Sequence, residues 1–306
     1  MTDTPRQNET ATDTQPWTVK RLLEWTTAFF QERRVEGGRL AAELLLAKAM
    51  GCRKIELYTR YDQEPTETQR AEFRELVRSA GKHTPIAYLL GSREFYSLDI
   101  EVAPEVLIPR PETEALAQRM IDLCRSKPDR MWRICDVGTG SGCVAVAIAK
   151  YARNAEVLAT DISPAALEVA GRNVARHGLT ERVRLLEADC LKLPADAVPT
   201  SGFDVIVSNP PYIPEADWLE LPPHIRQHEP QGALTFTGSD GLIMYRRLAT
   251  EAPAVLRPGG LLLIEIGHNQ HRAVQGLFEQ AGGWTYVGSH RNTSDPHDRV
   301  LEFRHG

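Results

Sequence analysis

Apolar and polar positions change period several times along this chain, and each change marks an element. Val19, Leu22, Leu23, Thr26, Phe29 and Phe30 recur at helical spacing, and Leu40, Leu44, Leu45 and Ala47 form a second amphipathic stretch ending at Gly51. Thr66 follows Pro65 and precedes Gln69 at capping-box spacing, opening a helix through Phe73, Leu76 and Val77 to Gly81. Residues 17–81 thus read as a small helical bundle, either a stabilising appendage or a partner-docking module. Between Glu94 and Pro104 the period becomes two: Leu98, Ile100 and Val102 alternate with Asp99 and Glu101, as in a half-buried hairpin strand, so 82–109 reads as a linker with a β-hairpin. From Thr113 strands and helices alternate, predicting an α/β domain over 110–306 whose parallel sheet carries helices on both faces.

Within that domain the expected strands are 134–137, 156–160, 182–186, 203–208 and 261–264. The expected helices run from Pro164 to His177, Asp240 to Leu256 and His268 to Gln280, with a Pro258-Gly259-Gly260 turn before the strand at Leu261. Trp284 to Ser289 and Arg299 to Phe303 read as a terminal hairpin pair.

Composition narrows the function classes. The chain has 306 residues, 42% of them hydrophobic, enough for one large core and a smaller domain. No apolar run approaches a bilayer's thickness, and Met1 to Pro16 is polar, reading as a disordered tail and not a signal peptide. A cytoplasmic location is expected. The five cysteines are odd in number and lack a Cys-x-x-Cys pair, which predicts reduced, mostly buried thiols; His268 and His271 have no second ligand cluster, so no metal site is expected. A net charge of −5 disfavours general nucleic-acid binding.

Asn209-Pro210-Pro211-Tyr212 carries the candidate chemistry. It follows the apolar run 203–208, and so sits at a strand's carboxyl end, where open α/β sheets bind ligands. An amide or adenine nitrogen is a poor nucleophile because its lone pair is conjugated. Two acceptors, the Asn209 side-chain oxygen and the Pro210 carbonyl, are able to hold both hydrogens of a planar NH2 group and aim the lone pair at an incoming methyl. Pro210 and Pro211 bring no competing N–H and stiffen the segment, while Tyr212 either offers a flat face to the substrate or packs beneath the loop.

A second motif lies upstream. Ile134-Cys135-Asp136-Val137 leads into Gly138-Thr139-Gly140-Ser141-Gly142 and then an apolar helix; this Gly-x-Gly-x-Gly spacing resembles the first motif of S-adenosylmethionine-dependent methyltransferases and departs from the dinucleotide fingerprint. Asp161, about 20 residues on, stands where an acid receives ribose hydroxyls, with N-capping of the next helix as the plainer role. Asp189, at the end of the third strand, is positioned to accept from an adenine amine.

The chain resembles the HemK/PrmC group, the glutamine methyltransferases of peptide-chain release factors, from Trp17 to the C-terminus. The shared residues are the glycine motif, Ser208-Asn209-Pro210-Pro211-Tyr212-Ile213, Leu107-Ile108-Pro109-Arg110-Pro111-Glu112-Thr113-Glu114, Glu229-Pro230, Gly238-Ser239-Asp240-Gly241-Leu242 and Glu265-Ile266-Gly267. The resemblance implies a class I (Rossmann-like) methyltransferase sheet behind an N-terminal helical domain and a hairpin. It further implies methylation of N5 of the glutamine in the Gly-Gly-Gln loop of class I release factors; a monomer is the simplest state for docking so large a protein partner. Its substrate-binding residues map onto Asn209, Pro210, Pro211 and Tyr212. Its donor-binding residues map onto Gly138, Thr139, Gly140, Ser141, Gly142, Asp161, Asp189 and Cys190, with Asn209 bordering both sets. Many members carry an aromatic residue where this chain has Cys190, which transfers packing against the adenine toward Ile162. Two rivals stand beside this reading: an adenine-N6 methyltransferase acting on DNA or RNA, and a noncatalytic donor-binding adaptor. Arg110 and Glu112 either shape the pocket entrance or tie the hairpin to the sheet.

Overall fold

The computed structural model describes residues 15–236, 238–292 and 296–306, so the expected tail lies outside the described residues except for Gln15 and Pro16. The chain divides into two compact units after Leu90.

In the first unit, α1 (Val19–Glu32), α2 (Gly38–Met50), the short α3 (Glu56–Thr59), α4 (Glu67–Ala80) and α5 (Ile86–Leu90) bury the apolar stripes read from the sequence. The Thr18 hydroxyl caps α1 by accepting from Arg21 N. At α4 the capping box forms: Gln69 N donates to the Thr66 hydroxyl at 3.3 Å and Thr66 N to the Gln69 side chain at 2.9 Å.

The second unit opens with a hairpin, β1 (Ser92–Phe95) and β2 (Leu98–Glu101), whose inward Phe95, Leu98 and Ile100 join the main core. There follow α6 (Glu114–Ser126), β3 (Trp132–Val137), α7 (Cys143–Tyr151), β4 (Ala155–Asp161), α8 (Pro164–Arg176), β5 (Val183–Glu187), β6 (Phe203–Ser208), the one-turn α9 (Pro223–Arg226), α10 (Ile243–Glu251), β7 (Leu256–Glu265), α11 (His271–Ala281), β8 (Trp284–His290) and β9 (Val300–His305). The seven-stranded sheet runs β5-β4-β3-β6-β7-β9-β8; the first five of these are mutually parallel, and β9 and β8 add antiparallel. Alternation along the central strands feeds two cores. Ile134, Val205, Val207, Leu261 and Leu263 face α6 and α7, whereas Cys135, Ile206, Leu262 and Ile264 face α10 and α11. All six residues of β6 are buried, including Asp204, whose carboxylate accepts from Arg133 N at 2.8 Å and from Arg130 and Arg257.

Several predicted boundaries shift: the stretch expected as a linker, 82–109, divides after Leu90, α5 packing in the first unit's core and the hairpin in the second's. The helix expected from Asp240 to Leu256 is α10, which ends at Glu251 and tightens into a 3-10 turn over Ala252–Ala254, where Pro253 has no N–H to continue the α-helical ladder. Strand β7 therefore begins at Leu256, and the Pro-Gly-Gly segment lies inside it as an irregularity against β6. The helix expected from His268 starts at His271, because the Gln270 side chain folds back to accept from Gly267 N at 2.9 Å.

The late strand β9 is anchored by charge as well as by pairing. Buried Glu302 accepts from Arg119 of α6 at 2.7 and 3.1 Å and pairs with His290 of β8 at 2.8 Å. Burial alone pushes a carboxyl's pKa up; here the hydrogen bonds from His290 and Arg119 outweigh it and hold Glu302 at about 2. A carboxyl so depressed stabilises the fold above its unfolded value near ~4.3 and loses that contribution as pH falls toward the folded value. We expect Glu302→Gln to lower the unfolding free energy at pH 7 by about 2 kcal/mol, less than a wholly buried broken pair because Arg119 keeps some solvent. In urea titrations the gap from wild type narrows between about pH 4 and pH 2; equal stability at pH 7 contradicts this account of Glu302.

Candidate active site

Strand order places the site. The chain leaves β3 toward β4 on one side, while β6 returns on the other, so a crevice opens at the carboxyl ends of β3 and β6. Val137, the last residue of β3, is in register with Ser208, the last of β6, and the Ser208 hydroxyl donates to the Val137 carbonyl at 2.8 Å. The glycine loop and the Asn-Pro-Pro-Tyr loop leave the sheet from this one pair. Beside them is a cavity of about 390 Å³ lined by residues of both loops, by Asp161 and Ile162, by Asp189 and Cys190, and by the Leu107–Thr113 stretch.

On the donor side, Gly138, Gly140 and Gly142 all have positive φ, which other residues rarely adopt. A Cβ on Gly142 would meet Ala170 of α8 at 3.1 Å, whereas one on Gly138 or Gly140 would project into open space. Thus Gly142 serves helix packing and the other two keep a ligand's approach clear. Thr139 donates to buried Asp136 at 2.6 Å, and burial pushes the Asp136 carboxyl up to about 7 against that bond. The Ser141 carbonyl accepts from buried Asn173 at 2.9 Å. Asp161, at the end of β4, accepts from Gly140 N at 2.8 Å and from Ser163 N at 3.0 Å; burial still raises its pKa. The cap of α8 falls to Ser163, whose hydroxyl accepts from Ala166 N, so Asp161 is left to brace the glycine turn.

Ile162 is 63% exposed on the cavity wall and turns an apolar surface to it. Cys190 lines the same wall with a left-handed backbone, and burial pushes its thiol up to about 12. The Asp189 carboxylate is engaged by Arg247 at 2.5 Å and Lys192 at 2.8 Å; those bonds pull its pKa down to about 2 and compete with any base amine for its oxygens.

On the acceptor side, the Asn209 nitrogen donates to the Thr113 hydroxyl at 3.0 Å. Among the described residues no group donates to Asn209 Oδ1 or to the Pro210 carbonyl. Pro210 is buried, and Asn209 and Pro211 line the cavity. Tyr212 does not line it: its ring packs on the α10–α11 core, and its hydroxyl lies against the Glu265 carboxyl. The Tyr212 carbonyl accepts from Gln270 at 2.9 Å, so the plainer of its two roles describes the geometry. Arg110 pairs with fully buried Glu229 at 2.6 Å, and Ile108 N donates to the same carboxylate at 3.1 Å, tying the Pro-Arg-Pro stretch to the segment beyond Tyr212.

Glu265, at the end of β7, lies below this loop and is 1% exposed. Burial pushes it up to about 7 in spite of the Thr113 and Tyr212 hydroxyls beside it, and its Oε2 has no hydrogen-bond partner. Thr113, Gln270, Arg247 and Glu265 give no sequence signal of these contacts, since their partners are far away in the chain.

Residues 21–91 match the family described as PrmC N-terminal domain, and residues 128–282 match a methyltransferase domain family. The release factor glutamine methyltransferase of Rhodopirellula baltica is 46% identical over 298 residues, covering 97% of this chain and 99% of that protein. Its Geobacter sulfurreducens counterpart is 41% identical over 87% of this chain and 90% of its own. Among solved structures, the hMettl16 catalytic domain in complex with MAT2A 3'UTR hairpin 6 aligns with a TM-score of 0.53 at 18% identity, covering 70% of this chain and 77% of that one, a likeness of fold alone. A relative this similar along nearly its whole length places the chain plainly: it belongs to the release factor glutamine methyltransferase family.

Proposed function

We propose that this enzyme transfers a methyl group from S-adenosylmethionine to the side-chain amide nitrogen, N5, of the glutamine in the Gly-Gly-Gln loop of class I peptide-chain release factors, acting as a cytoplasmic monomer. One observation carries the reading. The Asn209 nitrogen is spent on Thr113, while Asn209 Oδ1 and the Pro210 carbonyl have no donor among the described residues, one strand away from the glycine loop.

The residues present fit the donor. Gly138 and Gly140 leave space where a Cβ would stand, Asp161 offers carboxylate oxygens for ribose hydroxyls, and exposed Ile162 offers an apolar surface for the base. Thr139, Ser141 and Gly142 shape the turn, and Cys190 and Asp189 close the far wall. When bound, S-adenosylmethionine supplies a sulfonium methyl that is electrophilic without further activation. The protein's part is to make the amide nitrogen a nucleophile. Two acceptors at its two hydrogens favour the state in which the lone pair leaves conjugation, and they add no mobile charge to the site. Neither acceptor titrates, so no general base of the protein is required; the product's extra proton leaves to water. Tyr212 and Pro211 contribute by keeping the acceptors in place, Tyr212 from beneath.

Incubating purified enzyme, S-adenosylmethionine and a class I release factor, followed by mass spectrometry of the loop peptide, tests the assignment. The expected result is one added methyl on the glutamine, with no label transferred to DNA or RNA oligonucleotides. Asn209→Ala should lower kcat roughly 10²-fold, by analogy with loss of one preorganised polar group, with donor affinity retained; wild-type turnover in this variant contradicts the role given to Asn209. Asp161→Asn should weaken S-adenosylmethionine binding by roughly 10- to 100-fold, the worth of hydrogen bonds to a charged group. Calorimetry reads this directly, and an unchanged affinity removes Asp161 from the donor site.

A further inference from the structure

A carboxamide has two ends of nearly equal size and opposite hydrogen-bonding sense. If Asn209 turned about its terminal torsion, it would present NH2 to the substrate's NH2, two donors facing each other. Something must choose the productive end. Among the described residues the hydrogen-bond partner of the Asn209 side chain is the Thr113 hydroxyl, at 3.0 Å. Thr113 is 2% exposed and stands at the start of α6, 96 positions away in the chain. A hydroxyl accepts from either kind of donor and also donates, so by itself it would hold either end of the amide. Glu265 lies beside it, and a carboxyl keeps an acceptor oxygen whether or not it carries a proton, so a Thr113 hydrogen turned toward Glu265 leaves the hydroxyl's lone pairs to the Asn209 nitrogen.

From this arrangement, and resting on the function proposed above, we propose that Thr113 is a positioning residue: oriented by buried Glu265, it accepts from the Asn209 nitrogen and thereby fixes Oδ1 toward the substrate amide. The unpartnered Oε2 of Glu265, at 1% exposure, is an independent sign that this carboxyl is kept for something other than ordinary pairing. Gln270 donates to the Tyr212 carbonyl at 2.9 Å, which holds the loop that carries Asn209 from its far end.

The test uses full-length enzyme with S-adenosylmethionine and a purified release factor. Thr113→Val keeps shape and removes the acceptor; its kcat should fall about 5- to 10-fold, the worth of one hydrogen bond, with KM for both substrates and the donor dissociation constant within about twofold. Thr113→Ser restores the hydroxyl and should return kcat to within about twofold of wild type. In an Asn209→Ala background Thr113→Val should change nothing further, since its partner is gone. Should the valine variant fail to fold, Thr113→Ala against Thr113→Ser carries the same comparison. Wild-type kcat in the valine variant with a crippled Asn209→Ala enzyme overturns the inference while the function stands. A serine variant no better than valine, or additive losses in the double variant, also overturns it. If Asn209→Ala itself turns over normally, both the inference and the reading beneath it fall.

Discussion

The pairing of β3 with β6 is the constraint on which the rest depends. Because Val137 and Ser208 end their strands in register and are bonded through the Ser208 hydroxyl, two loops separated by about 70 positions emerge side by side. A slip of one residue would turn every side chain of β6 to the opposite face, sending Val205 and Val207 into the wrong core and displacing Asn209 from the crevice. The burial of β6 on both faces therefore secures the active site as much as the core.

Around that fixed point the two sides of the site differ in charge: the carboxyls of Asp161 and Asp189 line the donor side, whereas Asn209 on the acceptor loop is neutral. Asn209 lines the cleft next to buried Pro210, while the Asp136 carboxyl, which accepts from Thr139, and the Glu265 carboxyl, beside Thr113, are both raised to about 7 by burial. A neutral acceptor loop suits a transfer from a cationic donor to a neutral amide. A bare carboxylate in front would offer the methyl group an unwanted nucleophile, whereas a threonine hydroxyl conveys its orienting effect without exposing it.

Local chemistry was legible in the sequence and distant chemistry was not. The Thr66 capping box, the Ser163 cap, the six residues of β6 and the terminal hairpin pair are written in residue type and period, so they could be read directly. The glycine and Asn-Pro-Pro-Tyr motifs were legible for the same reason, whereas Ile162, on the cavity wall, entered only through the family resemblance and its departure at Cys190. The orientation of Tyr212 was left open, because a ring after Pro-Pro turns inward only if a partner such as Glu265 waits on another strand. Nothing in the vicinity of Asp189 reveals that Arg247 will arrive from α10, nor does the Pro-Arg-Pro stretch announce Glu229. Periodicity also overran Pro253, where a single missing N–H ended α10 early.

One feature of the sheet reaches beyond the site. Strand β9 is the last described strand in chain order, yet it lies inside the sheet, between β7 and β8, with Val300, Leu301 and Phe303 buried. While a nascent chain is still growing, β7 has an open edge with nothing to pair against, and the hydrophobic layer around Phe278 is without Phe303, its stacked neighbour. The sheet therefore cannot be completed before β9 has been made, and a chain that stops short of Val300 leaves the β7 edge and the Phe278 layer uncovered.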